Sequence, residues 1–197
     1  IDGIGLGYGA YYTSSDYSAF NASAYSTDSV GFSSNLSLPI DEIKQLGLSV
    51  ALDQTKLKTD AFSSQQLLEY VNSEGDTQNS ITLGASWTRN TLNRGLFPTI
   101  GTLNQVSTKI AVPPSDVTYG KIKYNFRYYR PIFFNLIFSS RNELGALFAY
   151  GDTENSPPYQ NFYAGGLKSV RGFKQNTLGP RAVYQNGFYY SNRPSGG

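Results

Sequence analysis

The side chains that could do covalent chemistry are few, because the chain contains neither histidine nor cysteine. Histidine is the most frequent general base and a common metal ligand, so its absence excludes Ser-His-Asp catalysis and histidine metal sites. The absence of cysteine excludes disulfides and thiolate metal sites. A carboxylate pair is still open as an acid-base device, but no two acidic residues have a spacing that suggests one. The sequence therefore predicts a protein without catalytic residues, metal or cofactor.

The stretch 161–184 is the best candidate for a functional segment, because it follows no period of 2 or 3.6 residues yet is rich in aromatic residues. Long irregular loops in compact domains are usually functional or disordered, and the aromatics argue against disorder. Near its centre lies Arg171, which by itself is read as an ordinary surface arginine of a loop. Five residues could act as joints where the backbone turns: Gly165, Gly166, Gly172, Gly179 and Pro180.

Seven segments that could form a supporting wall alternate between apolar and polar residues, which predicts strands in meander order. They are 3–12, 30–38, 46–53, 81–88, 106–112, 119–130 and 134–150. The connections at 13–25, 55–79 and 151–197 are long, whereas most of the others are short. Within the second long connection, residues 63–74 (SSQQLLEYVNSE) could form a brief helix.

Long connections at one end and short turns at the other are typical of an outer-membrane β-barrel, and the strands are long enough to cross a bilayer. The alternative is a soluble β-sandwich, whose strands also alternate. Aromatic residues on the apolar side could form interfacial girdles: Tyr8, Tyr12, Trp87, Tyr124, Phe126 and Tyr128. Lys109, Lys121, Lys123 and Arg127 give the polar side a basic stripe, which is a solvated face or a substrate track. The net charge of +2 gives no indication of nucleic-acid binding.

Two motifs resemble the BamA family of outer-membrane assembly proteins. GGLKSVRGF at 165–173, followed by NTLGP at 176–180, is similar to that family's long sixth extracellular loop. The loop is marked by a VRG(F/Y) tetrad, present as Val170, Arg171, Gly172 and Phe173. NRGLFPTIG at 93–101 is similar to the family's DRGxFPTxG periplasmic turn, with matches at Arg94, Gly95, Phe97, Pro98, Thr99 and Gly101. Asn93 stands where the family often has aspartate. The turn itself is still expected, because asparagine favours turns nearly as well, but a role for a carboxylate at this position is not.

The resemblance implies an all-β fold, in which an antiparallel meander forms part of a transmembrane outer-membrane barrel. Residues 1–150 would be partial wall, and 151–197 an extracellular loop that folds into the lumen. At its tip the planar guanidinium of Arg171 would pair with carboxylates of the inner wall, which in the family lie on strands that follow this stretch. Within this chain, Asp53 and Glu143 on the predicted inner face are the candidate substitutes. Gly172 would allow a sharp turn, and Phe173 would anchor the tip to the wall.

The implied function is part of the insertase that folds β-barrel proteins into the outer membrane of a Gram-negative bacterium. Expected partners are the lipid bilayer, unfolded outer-membrane proteins and accessory lipoproteins of the assembly complex. A two-partner secretion or TamA-like translocator is the alternative. Periplasmic domains and closing strands are expected elsewhere in a longer protein. Seven strands by themselves leave two open edges, which predicts edge-to-edge self-association of the isolated segment.

Overall fold

The chain forms one seven-stranded antiparallel sheet in sequence order in a computed structural model, which describes residues 3–17, 25–60, 63–167, 169–183 and 190–196. This meander confirms the predicted fold class. The strands are β1 (Gly5–Asp16), β2 (Tyr25–Pro39), β3 (Lys44–Thr59), β4 (Thr77–Asn90), β5 (Gly101–Val112), β6 (Tyr119–Phe133) and β7 (Leu136–Ala149). Within the described residues, β1 pairs only with β2 and β7 only with β6, so the sheet is open in this chain.

The two faces of the sheet differ in chemistry along every strand. Phe32, Leu52 and Ile81 pair across β2, β3 and β4 on one side, which we call the apolar face. Gly31, Asp53 and Ser80 pair across the same strands on the other side, the polar face. Large side chains of the apolar face are exposed, for example Leu6 at 59% and Leu144 at 64%. The described residues place no second sheet over that face, which argues against the sandwich alternative.

The predicted long connections at 13–25 and 55–79 were wrong in extent, because the strands continue into them. β1 runs to Asp16 and β3 to Thr59, while β2 begins at Tyr25. In these extensions polar residues lie on both faces, so the hydrophobic alternation disappears although the backbone still pairs. At the opposite end, β6 continues past the predicted stop at Pro131, with a register irregularity between Pro131 and Phe133.

The brief helix predicted at 63–74 is present as α1 (Gln65–Glu74). Ser64 caps it, since its side chain accepts a hydrogen bond from the Leu67 amide at 3.3 Å. Leu67 and Tyr70 are buried in one cluster with Tyr25 and Leu57 of the polar face. α1 therefore covers the end of the polar face at the long connections. Among the residues that the structure describes, no helix is long and apolar enough to span a membrane.

The chain after β7 was predicted as loop, and its described residues contain three short elements. These are a 3-10 helix (Pro158–Gln160) and two strands, β8 (Arg181–Val183) and β9 (Tyr190–Pro194). β8 and β9 form a separate two-stranded sheet. Elements of three to five residues are too short to produce a recognisable period, which is why the pattern did not reveal them.

Candidate functional site: the segment after β7 and the turn after β4

The segment after β7 is held on the polar face by Phe162. The ring lies directly above Gly145 of β7, where an added Cβ would be 2.6 Å from Phe162 Cε1. Lys121 of β6 approaches the same ring, with Nζ 4.6 Å from the ring centroid, and donates a 2.6 Å hydrogen bond to the Gln160 carbonyl. A cation above an aromatic face is attracted by the ring quadrupole. Because Gly145 has no side chain, the Phe162 ring can lie against the β7 backbone, in a position that we call the seat of Phe162. Lys121 holds the ring in this seat.

Tyr159 is a second anchor for this segment, on a different strand of the sheet. Its ring packs against the cluster of Tyr25, Leu57, Leu67 and Tyr70. Its hydroxyl donates a 2.8 Å hydrogen bond to Gln78 Oε1 on β4. Burial raises the pKa of the Tyr159 phenol well above its ordinary value, so this hydroxyl stays a donor. The segment is consequently fixed to β4, β6 and β7 together.

The glycine pair of the predicted joints closes the base of the VRGF-bearing loop. Ala164 and Leu178 form an antiparallel bridge, in which the Leu178 amide donates to the Ala164 carbonyl at 3.0 Å. Gly165 and Gly166 have φ of 113° and 97°, and a Cβ on Gly165 would lie 2.5 Å from the Lys174 carbonyl oxygen. Side chains are therefore excluded there by both conformation and space. The other predicted joint, Gly179 with Pro180, lies where the Pro180 carbonyl accepts from the Ser195 amide at 2.8 Å.

The VRGF tetrad forms the exposed tip of this loop. Val170 is 40% and Phe173 52% exposed, and Arg171 is also exposed. Gly172 has a φ of 89°, the left-handed region that favours glycine. Within the described ranges, no carboxylate lies in ion-pair distance of Arg171 and no ring stacks on Phe173. The structure thus presents Arg171 and Phe173 outward.

The two carboxylates considered for Arg171 are paired with lysines of the polar face instead. Asp53 accepts a hydrogen bond from the Tyr11 hydroxyl and lies 3.9 Å from Lys109 Nζ. Glu143 forms a 2.6 Å ion pair with Lys123. Two members of the predicted basic stripe, Lys109 and Lys123, are therefore compensated by carboxylates. Among the described residues, Lys121 and Arg127 have no carboxylate in ion-pair distance, and Arg127 lies directly opposite Arg141 in the β6–β7 register.

The turn after β4 is organised by Asn93 at the position where the resembling family has aspartate. The Asn93 side-chain oxygen accepts from the Thr99 amide at 3.1 Å, and its amide donates to Thr99 Oγ1 at 2.8 Å. Of the predicted motif, Gly101 has a φ of 113° and contacts Thr91 closely. Arg94 and Phe97 are exposed, and Gly95 has open space around it. The motif thus builds a rigid turn with an outward-facing apolar tip.

Three anchoring residues escaped the sequence reasoning: Tyr159, Phe162 and Gly145. The first two precede the motif in a stretch without a period, and Gly145 is one of many small residues on the polar face. The sequence could have indicated only the face on which Gly145 lies, because the alternation of β7 places it on the same face as Lys123. Within the part of the chain that the structure describes, no group of three or more acidic side chains is arranged to hold a metal ion.

The comparisons with known proteins agree with this architecture. A model of the Omp85 superfamily domain matches residues 2–197. BamA of Neisseria meningitidis serogroup B is 28% identical over 94% of this chain and 25% of its own length. BamA of Nitratidesulfovibrio vulgaris is 24% identical over 80% of the chain and 20% of its length. The mouse homologue of sorting and assembly machinery component 50 is 31% identical over 46% of the chain.

A solved structure matches along the whole chain. The crystal structure of BamA from Haemophilus ducreyi lacking POTRA domains 1–3 superposes with a TM-score of 0.90 at 33% identity, covering 100% of this chain and 40% of that one. The chain spans about a quarter or less of the curated BamA relatives named above. The seven strands therefore correspond to part of a BamA barrel wall, and the chain belongs to the Omp85 superfamily.

Proposed function

We propose that this chain is part of an insertase that folds β-barrel proteins into the outer membrane of a Gram-negative bacterium. The observation that carries the proposal is the match to a BamA structure over the full chain, at 33% identity and a TM-score of 0.90. The names of the curated relatives support it, since both bacterial proteins are called outer membrane protein assembly factors. The work requires no covalent chemistry, because incoming strands would pair with an exposed strand edge.

In the complete barrel, residues 1–150 would be wall, and 151–197 would extend from the extracellular side into the lumen. The contacts of Phe162 with Gly145 and of Tyr159 with Gln78 support this placement, because both wall residues lie on the polar face. A polar face closed into a barrel lines a lumen. The turn at 93–101 would then lie on the periplasmic side.

The exposed tip would be completed by the rest of the barrel. Arg171 would pair with a carboxylate on wall strands of the full-length protein, and Phe173 would rest beside it. Unfolded outer-membrane proteins and accessory lipoproteins are the partners that this function requires. For the isolated segment, the open edges of β1 and β7 support edge-to-edge self-association.

Depletion of the full-length protein in its host tests the proposed function. We expect the levels of several unrelated outer-membrane barrel proteins to fall together, because each would need the same insertase. Quantitative proteomics of the outer membrane measures this. A translocator for one exported partner would give the opposite pattern, in which that partner disappears while unrelated barrel proteins hold steady.

Arg171→Ala in the full-length protein tests the role of the tip. Removing one partner of a confined ion pair typically costs about 3 kcal/mol, so the heat-modifiable folded band should weaken and complementation of the depleted strain should fail. Lys174→Ala is the matched control, since this lysine is exposed in the same loop. A wild-type band and normal growth with Arg171→Ala would remove the proposed pairing.

A further inference from the structure

Charged residues on the apolar face are confined to its two ends, and the two ends differ. At the end near the long connections, acids and bases are mixed: Asp16, Asp28, Lys56 and Lys58, of which Lys58 and Asp28 form a 2.5 Å ion pair. At the end near the short turns, the described strands carry three bases on this face and no acid: Lys44 on β3, Arg89 on β4 and Arg130 on β6. The short-turn end of the apolar face is thus cationic.

The spacing of these charges matches the thickness of a bilayer. On β3, Lys44 and Lys56 enclose a row of uncharged residues on the apolar face, which is apolar from Leu46 to Leu52 and ends at the amide of Gln54. Twelve residues at about 3.3 Å each, tilted by about 45°, rise roughly 28 Å along the membrane normal. The hydrocarbon core is about 30 Å thick. The bases at the short-turn end therefore lie where one leaflet's headgroups begin.

Two of the three bases share a local pattern with an aromatic residue. Trp87 precedes Arg89 by two residues on β4, and Tyr128 precedes Arg130 by two residues on β6, in each case on the apolar face. Two residues of a tilted strand rise about 5 Å, which is the depth of one headgroup region. Tryptophan and tyrosine favour the boundary of the hydrocarbon. The guanidinium that follows each of them is consequently placed at the level of the phosphates.

The arginines have no carboxylate partner within the described part of the chain. Lys44 pairs with Asp41 at 2.9 Å, but Arg89 has no acid in ion-pair distance and lies directly opposite Lys44 in the β3–β4 register. Like charges directly opposite each other destabilise a sheet, and Asp41 forms an ion pair only with the Lys44 side of this pair. Arg130 is exposed and opposite Phe138. Both guanidiniums thus lack a counter-charge from the residues that the structure describes.

We infer that Arg89 and Arg130 bind the phosphates of anionic phospholipids in the leaflet on the short-turn side. The planar fork of arginine suits bidentate binding of phosphate oxygens. A lipid is favoured as the source of the phosphate because each arginine borders a continuous apolar surface that would hold the acyl chains. Under the orientation proposed above, this is the periplasmic leaflet. The inference needs strands that cross a bilayer but does not need insertase activity.

The test uses the full-length protein in detergent and measures retention of phosphatidylglycerol by native mass spectrometry. The variant is Arg89→Gln with Arg130→Gln, and the matched control is Arg127→Gln, which lies three residues from Arg130 on the polar face. Each surface arginine near anionic lipid changes binding by about fivefold, so the double variant should bind about 25-fold more weakly. The control should bind like wild type, and inorganic phosphate should not displace the lipid.

Three results would overturn the inference. They are unchanged phosphatidylglycerol binding by the double variant, an equal loss in Arg127→Gln, and displacement by millimolar inorganic phosphate, which would indicate a free-anion site. If the double variant does not fold, the two single variants carry the same test at about fivefold each. Complementation of the depleted strain is scored separately, so loss of lipid binding with normal barrel assembly leaves the proposed function intact.

Discussion

Gly145→Val is expected to release the segment after β7 from the polar face. Any Cβ at this position overlaps the Phe162 ring, so the ring has to leave its seat above β7. The segment then loses the burial of a phenylalanine and the contact with Lys121, together about 2 kcal/mol. The undocked population should rise about 30-fold. Hydrogen exchange at residues 151–167 in the full-length protein in vesicles measures the change.

Gly7→Val is the matched control for this variant. Gly7 also lies on the polar face, but a Cβ there meets no heavy atom within 4 Å. Both substitutions replace a strand glycine by a β-branched residue, so they share the change in intrinsic strand propensity. Faster exchange in the two variants alike would mean that the seat under Phe162 has no special role.

A double-mutant cycle assigns the effect to the ring itself. If Gly145→Val acts by displacing Phe162, then Phe162→Ala in the same protein should add little to the undocked fraction. Contacting residues show such non-additivity, whereas independent sites add. If the effects of the two substitutions were fully additive, Gly145→Val would act by a route other than displacement of the Phe162 ring.

The wall was predictable from the sequence because each strand contacts an apolar medium on one side and a polar one on the other. Alternation reports that difference directly, as in β3 from Leu46 to Asp53. It weakened in β7, where Ser140 and Asn142 lie on the apolar face and hydrogen-bond to each other at 2.9 Å. It disappeared beyond the apolar band, which is why β1 and β3 extend further than predicted.

The candidate site was predictable only where local backbone conformation restricts the residue type. Gly165, Gly166 and Gly172 all have positive φ, a conformation that favours glycine. Glycine at these positions could therefore be recognised in the sequence as a mark of a turning backbone. The seat of Phe162 on Gly145 depends on two residues 17 positions apart that no period connects. The pairing of Asp53 with Lys109 is likewise set by register across three strands. Such contacts follow from the assembled sheet.

A large loss of stability from a single methyl group is expected for Gly101→Ala in the turn between β4 and β5. Gly101 has a φ of 113°, and an added Cβ would lie 2.7 Å from the Thr91 carbonyl carbon. The backbone there also holds the Thr91 amide to the Thr102 carbonyl at 2.8 Å. Conformational strain of 1–3 kcal/mol and a weakened hydrogen bond together give about 2–4 kcal/mol. Denaturant unfolding of the full-length protein in detergent measures it.

Gly95→Ala provides the comparison that makes this prediction sharp. Gly95 belongs to the same motif and the same turn, but its φ is not positive and a Cβ there meets nothing within 4 Å. One methyl group is added in each variant, so solvation and composition of the turn change equally. A free energy of unfolding that falls by about 2–4 kcal/mol only in Gly101→Ala would assign the motif's rigidity to its last glycine. Equal values for both variants would mean that the turn adapts to a side chain at either position.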